Sequence, residues 1–379
     1  MVRANVPAPR TEATRFHRPV FFKDLPAPTV PGQDSRPMAQ ASRLLVLFGF
    51  TGLALAAPPA ETARLAAEVR TLGWVAYSAR SPKGDWEIYA MRPDGADVRN
   101  LSNSPDTEDF YPLFSRDGRQ LLYRAMPRGQ TVSVNDYGRQ GRLMLARANG
   151  AEARSLGEDG ALPWATWSPD GQQLLTLQPR GFAIVDLATK QVVRSFPRGG
   201  FYQQPTWSPD GRAIVGVSNG FNTGWSIARL ELATLNANAV SVADCCTPDW
   251  APGGDRVVYS RRRPHAGENG GYGWTEIWQA RPDGTEPKLV YAETGRHLYG
   301  SHLSPDGRYL LFTGNLREDG DPANQGAPMG LLRLAETPMI AEEAGLRRTY
   351  PQAKPATVLV LPAGHEPCWT AAEAPGLPR

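Results

Sequence analysis

The chain has 379 residues, of which 41% are hydrophobic, 9% aromatic and 21% charged, and its formal net charge is +3. Residues 1–56 hold seven of the 41 Lys and Arg residues but only three of the 38 Asp and Glu residues, so the remainder is close to neutral. A near-neutral body excludes the broad basic surface that binding to nucleic acid or to an anionic membrane requires.

The first 56 residues are expected to be a leader in two parts. Residues 1–37 are Pro-rich, polar and mixed in charge; they are interpreted as an over-extended reading frame before a true start at Met38, with a disordered leader as the alternative. Residues 38–56 combine a weakly basic start, an apolar run of 12 residues and a small-x-small end, as in a secretory signal peptide. The run is too short for a transmembrane helix. We therefore expect a mature protein in the periplasm or secreted, beginning near Ala57.

After a lead-in at 57–73, which is Ala- and Glu-rich and favours a short helix, the chain is organised by a motif that recurs five times. Each copy opens with a large apolar residue and continues with Ser-Pro-Asp-Gly or a close variant. The copies start at Phe114, Trp167, Trp207, Trp250 and Leu303. Pro presets φ for the second position of a tight turn, Asp suits the third, and Gly supplies the positive φ that follows. Repeated hairpins 40 to 53 residues apart are typical of β-propeller blades.

These repeats predict an all-β fold, a six-bladed β-propeller of four-stranded antiparallel blades over residues 74–370, followed by a tail at 371–379. The unit at 74–102 is the sixth, and it lacks an inner strand. The segment 364–370 places its Pro and Trp as the inner strand at 201–207 does. We therefore expect the C-terminal strand to complete the first blade and close the ring.

The Trp-Ser-Pro-Asp-Gly hairpin, followed by an apolar strand and an Ile-Tyr or Ile-Trp strand, resembles the WD40-like repeat of TolB-like six-bladed β-propellers. The resemblance implies an envelope protein of the periplasm whose propeller binds a protein partner, as TolB binds the lipoprotein Pal. TolB carries an α/β domain before its propeller, whereas about 17 residues precede Trp74 after the expected cleavage site. Similar repeats build the propellers of prolyl-oligopeptidase-like enzymes and of some oligogalacturonate lyases.

Binding residues are expected on the face opposite the hairpins, where long loops at 126–141, 261–274 and 315–329 surround the channel mouth. Aromatic and basic residues there suit a protein or peptide partner. The candidates are Trp164, Tyr202, Gln203, Arg261, Arg262, Arg263, Tyr272, Trp274 and Tyr299. The arginines are either a contact for an acidic partner or a solvated loop base, and the aromatic residues are either contacts or packing between blades.

The sequence does not indicate catalytic residues or a cofactor. It has no Gly-x-Ser-x-Gly elbow. His297, His302 and His365 lie on inner strands expected to be adjacent, which makes them candidate ligands of a divalent ion; solvated or hydrogen-bonded histidines are the alternative, and His265 lies in a long loop. The acidic candidates for calcium are Asp106, Asp109, Asp244 and Glu366.

Three cysteines, Cys245, Cys246 and Cys368, fall in a compartment expected to be oxidising. A vicinal disulfide, a bridge from either neighbour to Cys368 and simple buried thiols are all open. An odd number leaves at least one thiol free or paired with another molecule.

The favoured hypothesis is a monomeric, non-catalytic scaffold that binds an envelope protein or peptide. The first alternative is a metal-assisted carbohydrate lyase or hydrolase with its site at the channel mouth. The second is a propeller accessory to a peptidase, which rests on family resemblance alone.

Overall fold

The computed structural model of the protein describes most of the chain from residue 60 onwards. The described ranges are 60–132, 137–197, 199–221, 224–262, 275–293, 296–316, 328–341, 344–371 and 376–377. The expected leader, residues 1–37 and 38–56, lies outside them. Within these ranges, no helix is both long and apolar enough to cross a membrane.

The described strands group into six sheets. The first sheet contains β1 (Trp74–Arg80), β2 (Trp86–Met91) and β3 (Arg99–Asn100) together with the last strand, β26 (His365–Thr370). The second contains β4 (Thr107–Phe114), β5 (Gln120–Pro127), β6 (Arg142–Arg147) and β7 (Arg154–Ser155). The third contains β8 (Thr166–Trp167), β9 (Gln173–Gln178), β10 (Gly181–Asp186) and β11 (Val192–Phe196).

The other three sheets follow the same up-and-down order. The fourth contains β12 (Phe201–Trp207), β13 (Ala213–Ser218), β14 (Ser226–Glu231) and β15 (Ala237–Ser241). The fifth begins with β16 (Cys245–Trp250), β17 (Val257–Arg262), β18 (Thr275–Ala280) and β19 (Lys288–Ala292). The sixth contains β20 (Arg296–Leu303), β21 (Tyr309–Leu316), β22 (Pro328–Arg333) and β25 (Val358–Ala363). The fold is thus all-β and built of four-stranded antiparallel blades, as the repeats predict.

The fifth sheet departs from that pattern. Between β22 and β25 the chain adds β23 (Met339–Ile340), helix α2 (Ala344–Thr349) and β24 (Lys354–Pro355). Strand β23 pairs in parallel with β19, and β24 pairs in parallel with β23. The insertion therefore widens the fifth sheet to six strands, with Leu346 of α2 buried against it.

The hairpin motif positions the sheets against one another. The indole N–H of Trp167 donates to the backbone oxygen of Leu113 at 3.0 Å, and that of Trp250 donates to Thr206 at 3.2 Å. In each pair the acceptor belongs to the preceding sheet. The apolar strand after each hairpin is buried, since Leu121 and Leu122 of β5 have no exposed surface. Each lead Trp thus packs between neighbouring blades.

The two ends of the described chain meet at the first sheet. Strand β26 pairs antiparallel with β1, with Val75 opposite Trp369 and Ala76 opposite Cys368. The lead-in forms helix α1 (Ala60–Val69), which buries Leu65 and Val69. The Trp369 indole donates to the Leu72 carbonyl at 2.7 Å, so the last strand is joined to the segment after α1.

Candidate functional site: the channel and its mouth

One equivalent residue, in or just before each of the six inner strands, has a left-handed backbone conformation. Each of these residues lies three positions before the lead residue of the hairpin or, in β26, before Trp369, and each has a positive φ of 47° to 57°: Tyr111, Trp164, Gln204, Thr247, Gly300 and Glu366. The strand register shifts at this point in five of the sheets, as it does at a β-bulge. A positive φ is uncommon outside glycine, and such residues concentrate at functional sites.

These residues and their neighbours enclose a small cavity. Its wall takes side chains from the inner strand of every sheet: Tyr111, Leu113, Thr166, Gln204, Pro205, Thr206, Thr247, Pro248, Asp249, Gly300, Ser301, His302 and Glu366. The cavity volume is about 60 Å³. This is room for a few water molecules but far below the roughly 300–1,000 Å³ of a cleft for a small organic ligand.

Tyr137, from the connection between β5 and β6, reaches this channel. Its ring packs edge-on against Trp164 and Tyr111, with centroids 4.8 Å and 5.1 Å away. Its hydroxyl accepts a hydrogen bond from Gln204 Nε2 at 2.6 Å and donates to Glu366. The Oε1 of Gln204 in turn accepts the backbone N–H of Thr247 at 2.9 Å. A tyrosine from a loop is therefore built into the ring of inner-strand residues.

The channel also holds three acid–base groups. Burial raises the pKa of Glu366 to about 7, although the Tyr137 hydroxyl and the nearby His302 oppose the rise. His302 Nδ1 lies 3.0 Å from Asp249 Oδ2, and their side chains are 27% and 20% exposed. Burial lowers the pKa of His302, but the Asp249 carboxylate outweighs it and the net shift is upward. The channel thus brings a carboxyl group and a paired imidazole together.

Three of the predicted residues lie beside the channel, on the face opposite the hairpins. Tyr202 packs edge-on against Trp225 at 5.6 Å, and the Arg262 guanidinium lies 4.6 Å from the centre of the Trp225 ring. Arg261 lies in the same way over Trp278 at 4.7 Å. All of these side chains are partly exposed. We call Tyr202, Trp225, Arg261 and Arg262 the mouth cluster.

Three other predicted contact residues are buried, and for the aromatic residues this favours the alternative of packing between blades. Trp164 has no exposed surface because Tyr111 and Tyr137 cover it. Tyr299 is 9% exposed and its hydroxyl lies 2.5 Å from His365 Nδ1. Gln203 is 8% exposed. Arg263, Tyr272 and Trp274 lie outside the described residues, as does His265.

The three histidines are placed on neighbouring strands but have different partners. His302 pairs with Asp249, and His365 stacks on Tyr299 at 6.2 Å and packs edge-on against Trp86 at 5.3 Å. His297 packs against Tyr299 at 5.3 Å. Over the described ranges, no group of three or more His, Cys, Asp or Glu side chains is arranged to hold a metal ion, so the expected metal set is not brought together.

The three cysteines are buried thiols without a disulfide bond in the structure. Burial raises the pKa of Cys245 to about 12 and of Cys246 to about 11. Cys368 Sγ accepts the backbone N–H of Phe114 at 3.3 Å, so it links the last strand to the second sheet.

Sequence reasoning missed the mouth residue Trp225 and the channel residues Tyr137, Gln204, Thr247 and Asp249. For Gln204 and Thr247 the sequence did contain a signal. Each stands three positions before the first residue of a hairpin motif, as the other left-handed residues do, and each is followed by proline. Trp225 and Tyr137 lie in connections whose path no local pattern predicts.

Two solved structures are similar to this chain over 79% of its length. TolB from Acinetobacter baumannii matches with a TM-score of 0.52 at 15% identity, covering 67% of that protein. A protein from Agrobacterium tumefaciens assigned as TolB matches with a TM-score of 0.50 at 16% identity, covering 92% of that protein. No protein-family model matches the sequence, and no curated protein is significantly similar to it. Together with the sheets described above, these similarities show that the chain has the fold of a TolB-like β-propeller.

Proposed function

We propose that this chain is an exported, non-catalytic scaffold whose mouth cluster binds an acidic segment of an envelope protein or peptide. The observation that carries the proposal is the partly exposed stack of Tyr202, Trp225 and Arg262 beside the channel. Export rests on the signal-like segment 38–56, and residence in the periplasm is part of the proposal.

The scaffold we infer is a closed ring of six blades. Its support is the grouping of the described strands into six sheets and the pairing of β26 with β1. In such a ring the mouth cluster lies on a rigid frame, so little conformational entropy is lost when a partner binds.

The chemistry of the mouth cluster indicates the partner. Tyr, Trp and Arg are the side chains most enriched at energetically dominant contacts. The exposed Arg139 adds a third cation, since its Nη2 donates to the Tyr202 carbonyl at 2.8 Å. Among the described residues around the mouth cluster, Arg139, Arg261 and Arg262 outnumber the exposed Asp244. A segment with carboxylates beside an apolar or aromatic residue fits both features.

A carbohydrate-acting enzyme remains the second hypothesis, favoured by Glu366 and by the His302–Asp249 pair. It has less support because the cavity that holds these groups is about 60 Å³, too small for a sugar unit. The accessory role beside a peptidase rests on the resemblance of the repeats alone.

The proposal is tested by site-specific photocrosslinking in cells. A benzophenone amino acid replaces Tyr202 at the mouth or Gln172, an exposed residue of a hairpin on the other face. We expect one defined crosslinked partner from position 202 and none from position 172. Arg262→Ala should weaken binding of the purified partner about tenfold, as the loss of a central Arg does, whereas Arg212→Ala on the hairpin face should not. Equal crosslinking from both faces would contradict the proposal.

A further inference from the structure

A second and larger cleft lies between the first two sheets, away from the mouth cluster. Its volume is about 760 Å³, within the range of sites for small organic ligands. The connection from β3 to β4 forms one side, and the end of β5 with parts of β6 and β7 forms the other. Its wall includes Thr107, Asp109, Tyr123, Met126, Met144 and Asp159.

The deepest polar group of this cleft is the carboxylate of Asp109 on β4, which is 1% exposed. Its Oδ1 accepts a hydrogen bond from the Thr107 hydroxyl at 2.8 Å. Its Oδ2 is buried and has no hydrogen-bond partner. The Ser102 hydroxyl is nearby, but it donates its proton to Glu87. Asp109 therefore lines the cleft with a carboxylate that has one buried oxygen without a hydrogen-bond donor.

Asp109 is one of two buried acids here. Glu87 is 3% exposed and also accepts the backbone N–H of Ser104 at 3.2 Å. No hydrogen bond or ion pair joins either carboxylate to a basic side chain within the described ranges. Burial raises the pKa of both acids, that of Asp109 to about 7. Buried charges in proteins are normally paired, so these two carboxylates lack the positive partner that a buried acid usually has.

We propose that the cleft binds a primary ammonium group carried on an aliphatic chain, with the ammonium at Asp109 Oδ2. An ammonium donates three hydrogen bonds as a compact charge, and the Asp109 carboxylate and the neighbouring Thr107 hydroxyl supply acceptors. Met126, Met144 and Tyr123 give the chain a polarisable, apolar wall. The rim carries Asp106 and Asp159 against a single Arg142, so it also favours a cation.

An organic cation fits better than a metal ion. No group of three or more His, Cys, Asp or Glu side chains is arranged to hold a metal ion in the described part of the chain. The thioethers of methionine are poor ligands for calcium or magnesium. No residue of the mouth cluster lines the cleft. Ligand binding in the cleft and partner binding at the mouth cluster can therefore be tested independently of each other.

The test is a titration of the full chain, labelled with ¹³C at its methionine methyl groups, with n-butylammonium chloride. Met126 and Met144 line the cleft, so their signals should shift and saturate, with a Kd on the order of millimolar for a ligand of this size. Neutral 1-butanol should leave both signals in place. Equal shifts of these methyl signals with 1-butanol, or no shift with n-butylammonium, would overturn the proposal. This test needs only the wild-type protein.

Variants locate the charge that binds. Asp109→Asn keeps the volume and should raise the Kd at least tenfold, and Asp159→Asn at the exposed rim should raise it by a smaller factor. Asp255→Asn, at an exposed hairpin of the fifth sheet, should not change it. Unchanged binding by a folded Asp109→Asn protein, or displacement of n-butylammonium by an equal concentration of calcium chloride, would contradict the assignment.

Two further probes separate the sources of such a cation. Tighter binding of 1,4-diaminobutane would indicate a free polyamine, and tighter binding of Nα-acetyl-lysine methylamide would indicate a lysine side chain of a protein. The affinity for either should fall as the pH drops below 7, because protonation removes the charge of Asp109.

Discussion

At the scale of single residues, the unusual feature is the ring of left-handed positions around the channel. Thr247 has a φ of 47° although it is β-branched, and such residues are rare outliers in this region. Its backbone N–H bonds Gln204, and its hydroxyl lies 2.8 Å from that of Ser260. Glu366 occupies the equivalent position of the last strand with a half-buried acid. The surrounding structure thus holds these residues in conformations that they would not adopt alone.

Glu366 should make stability depend on pH. Its pKa rises from 4.5 to about 7 on folding because of burial, so the folded state binds the proton more tightly. The free energy of unfolding should therefore fall as the pH rises from about 4.5 to 7, by on the order of 2 kcal/mol from this group. Glu366→Gln keeps an acceptor for Tyr137 but cannot ionise. Urea unfolding should therefore show a larger gain in stability of the variant over the wild type at pH 7.5 than at pH 5.

Tyr137→Phe provides a matched control for that experiment. It removes the hydroxyl that donates to Glu366 and opposes the rise of its pKa, so the pH-dependent loss should extend to higher pH. Parallel pH curves for the wild type and Glu366→Gln would show that Glu366 is not the titrating group.

At the scale of elements, the hairpins share one hydrogen-bond pattern. In four copies the Ser hydroxyl donates to the Asp Oδ1 at 2.6 Å. In the fourth sheet, Asp210 Oδ1 also accepts the N–H of Arg212 at 3.0 Å, and Ser208 Oγ accepts the buried N–H of Ala213 at 2.9 Å. The copy at Trp250 has Ala251 and Gly253 instead, which lack these side-chain groups.

Ser208→Ala should destabilise the protein by about 2 kcal/mol, because it leaves the buried N–H of Ala213 without an acceptor. Asp210→Asn, which keeps an oxygen at the same place, should cost less than about 1 kcal/mol. Thermal unfolding of the two variants beside the wild type measures the difference. Equal losses would mean that the charge of Asp210, rather than the backbone hydrogen bonds, sets the stability of the hairpin.

At the scale of the whole molecule, stability depends on how the two ends of the chain meet. Trp369 packs in a cluster with Val75, Tyr309 and Leu311, which come from the first and sixth sheets. Cys368 packs on the other side, with Trp74 and Phe114. Strand β26 therefore contributes apolar surface to two interfaces between sheets as well as pairing with β1.

Deleting residues 364–379 should destabilise the protein by more than about 4 kcal/mol, because two interfaces and a strand pairing are lost together. The truncated protein should no longer unfold in one cooperative transition. Deleting only 371–379 leaves β26 in place and should have a much smaller effect. Differential scanning calorimetry of the two truncations makes the comparison. If the longer deletion melts as the full chain does, the inferred ring closure is wrong.

The sequence alone determined the local architecture of this protein. Hairpins are encoded within five consecutive residues, so Ser208, Pro209, Asp210 and Gly211 specify their turn without help from distant contacts. The tertiary structure decided what those blades place around the channel. Trp164 and Tyr202 look alike as aromatic residues a few positions before a hairpin motif, yet Trp164 is covered by Tyr137 from a different sheet whereas Tyr202 is partly exposed. The burial of Trp164, the pKa of Glu366 and the lack of a donor at Asp109 depend on residues far apart in sequence. For that reason no local sequence pattern predicted them.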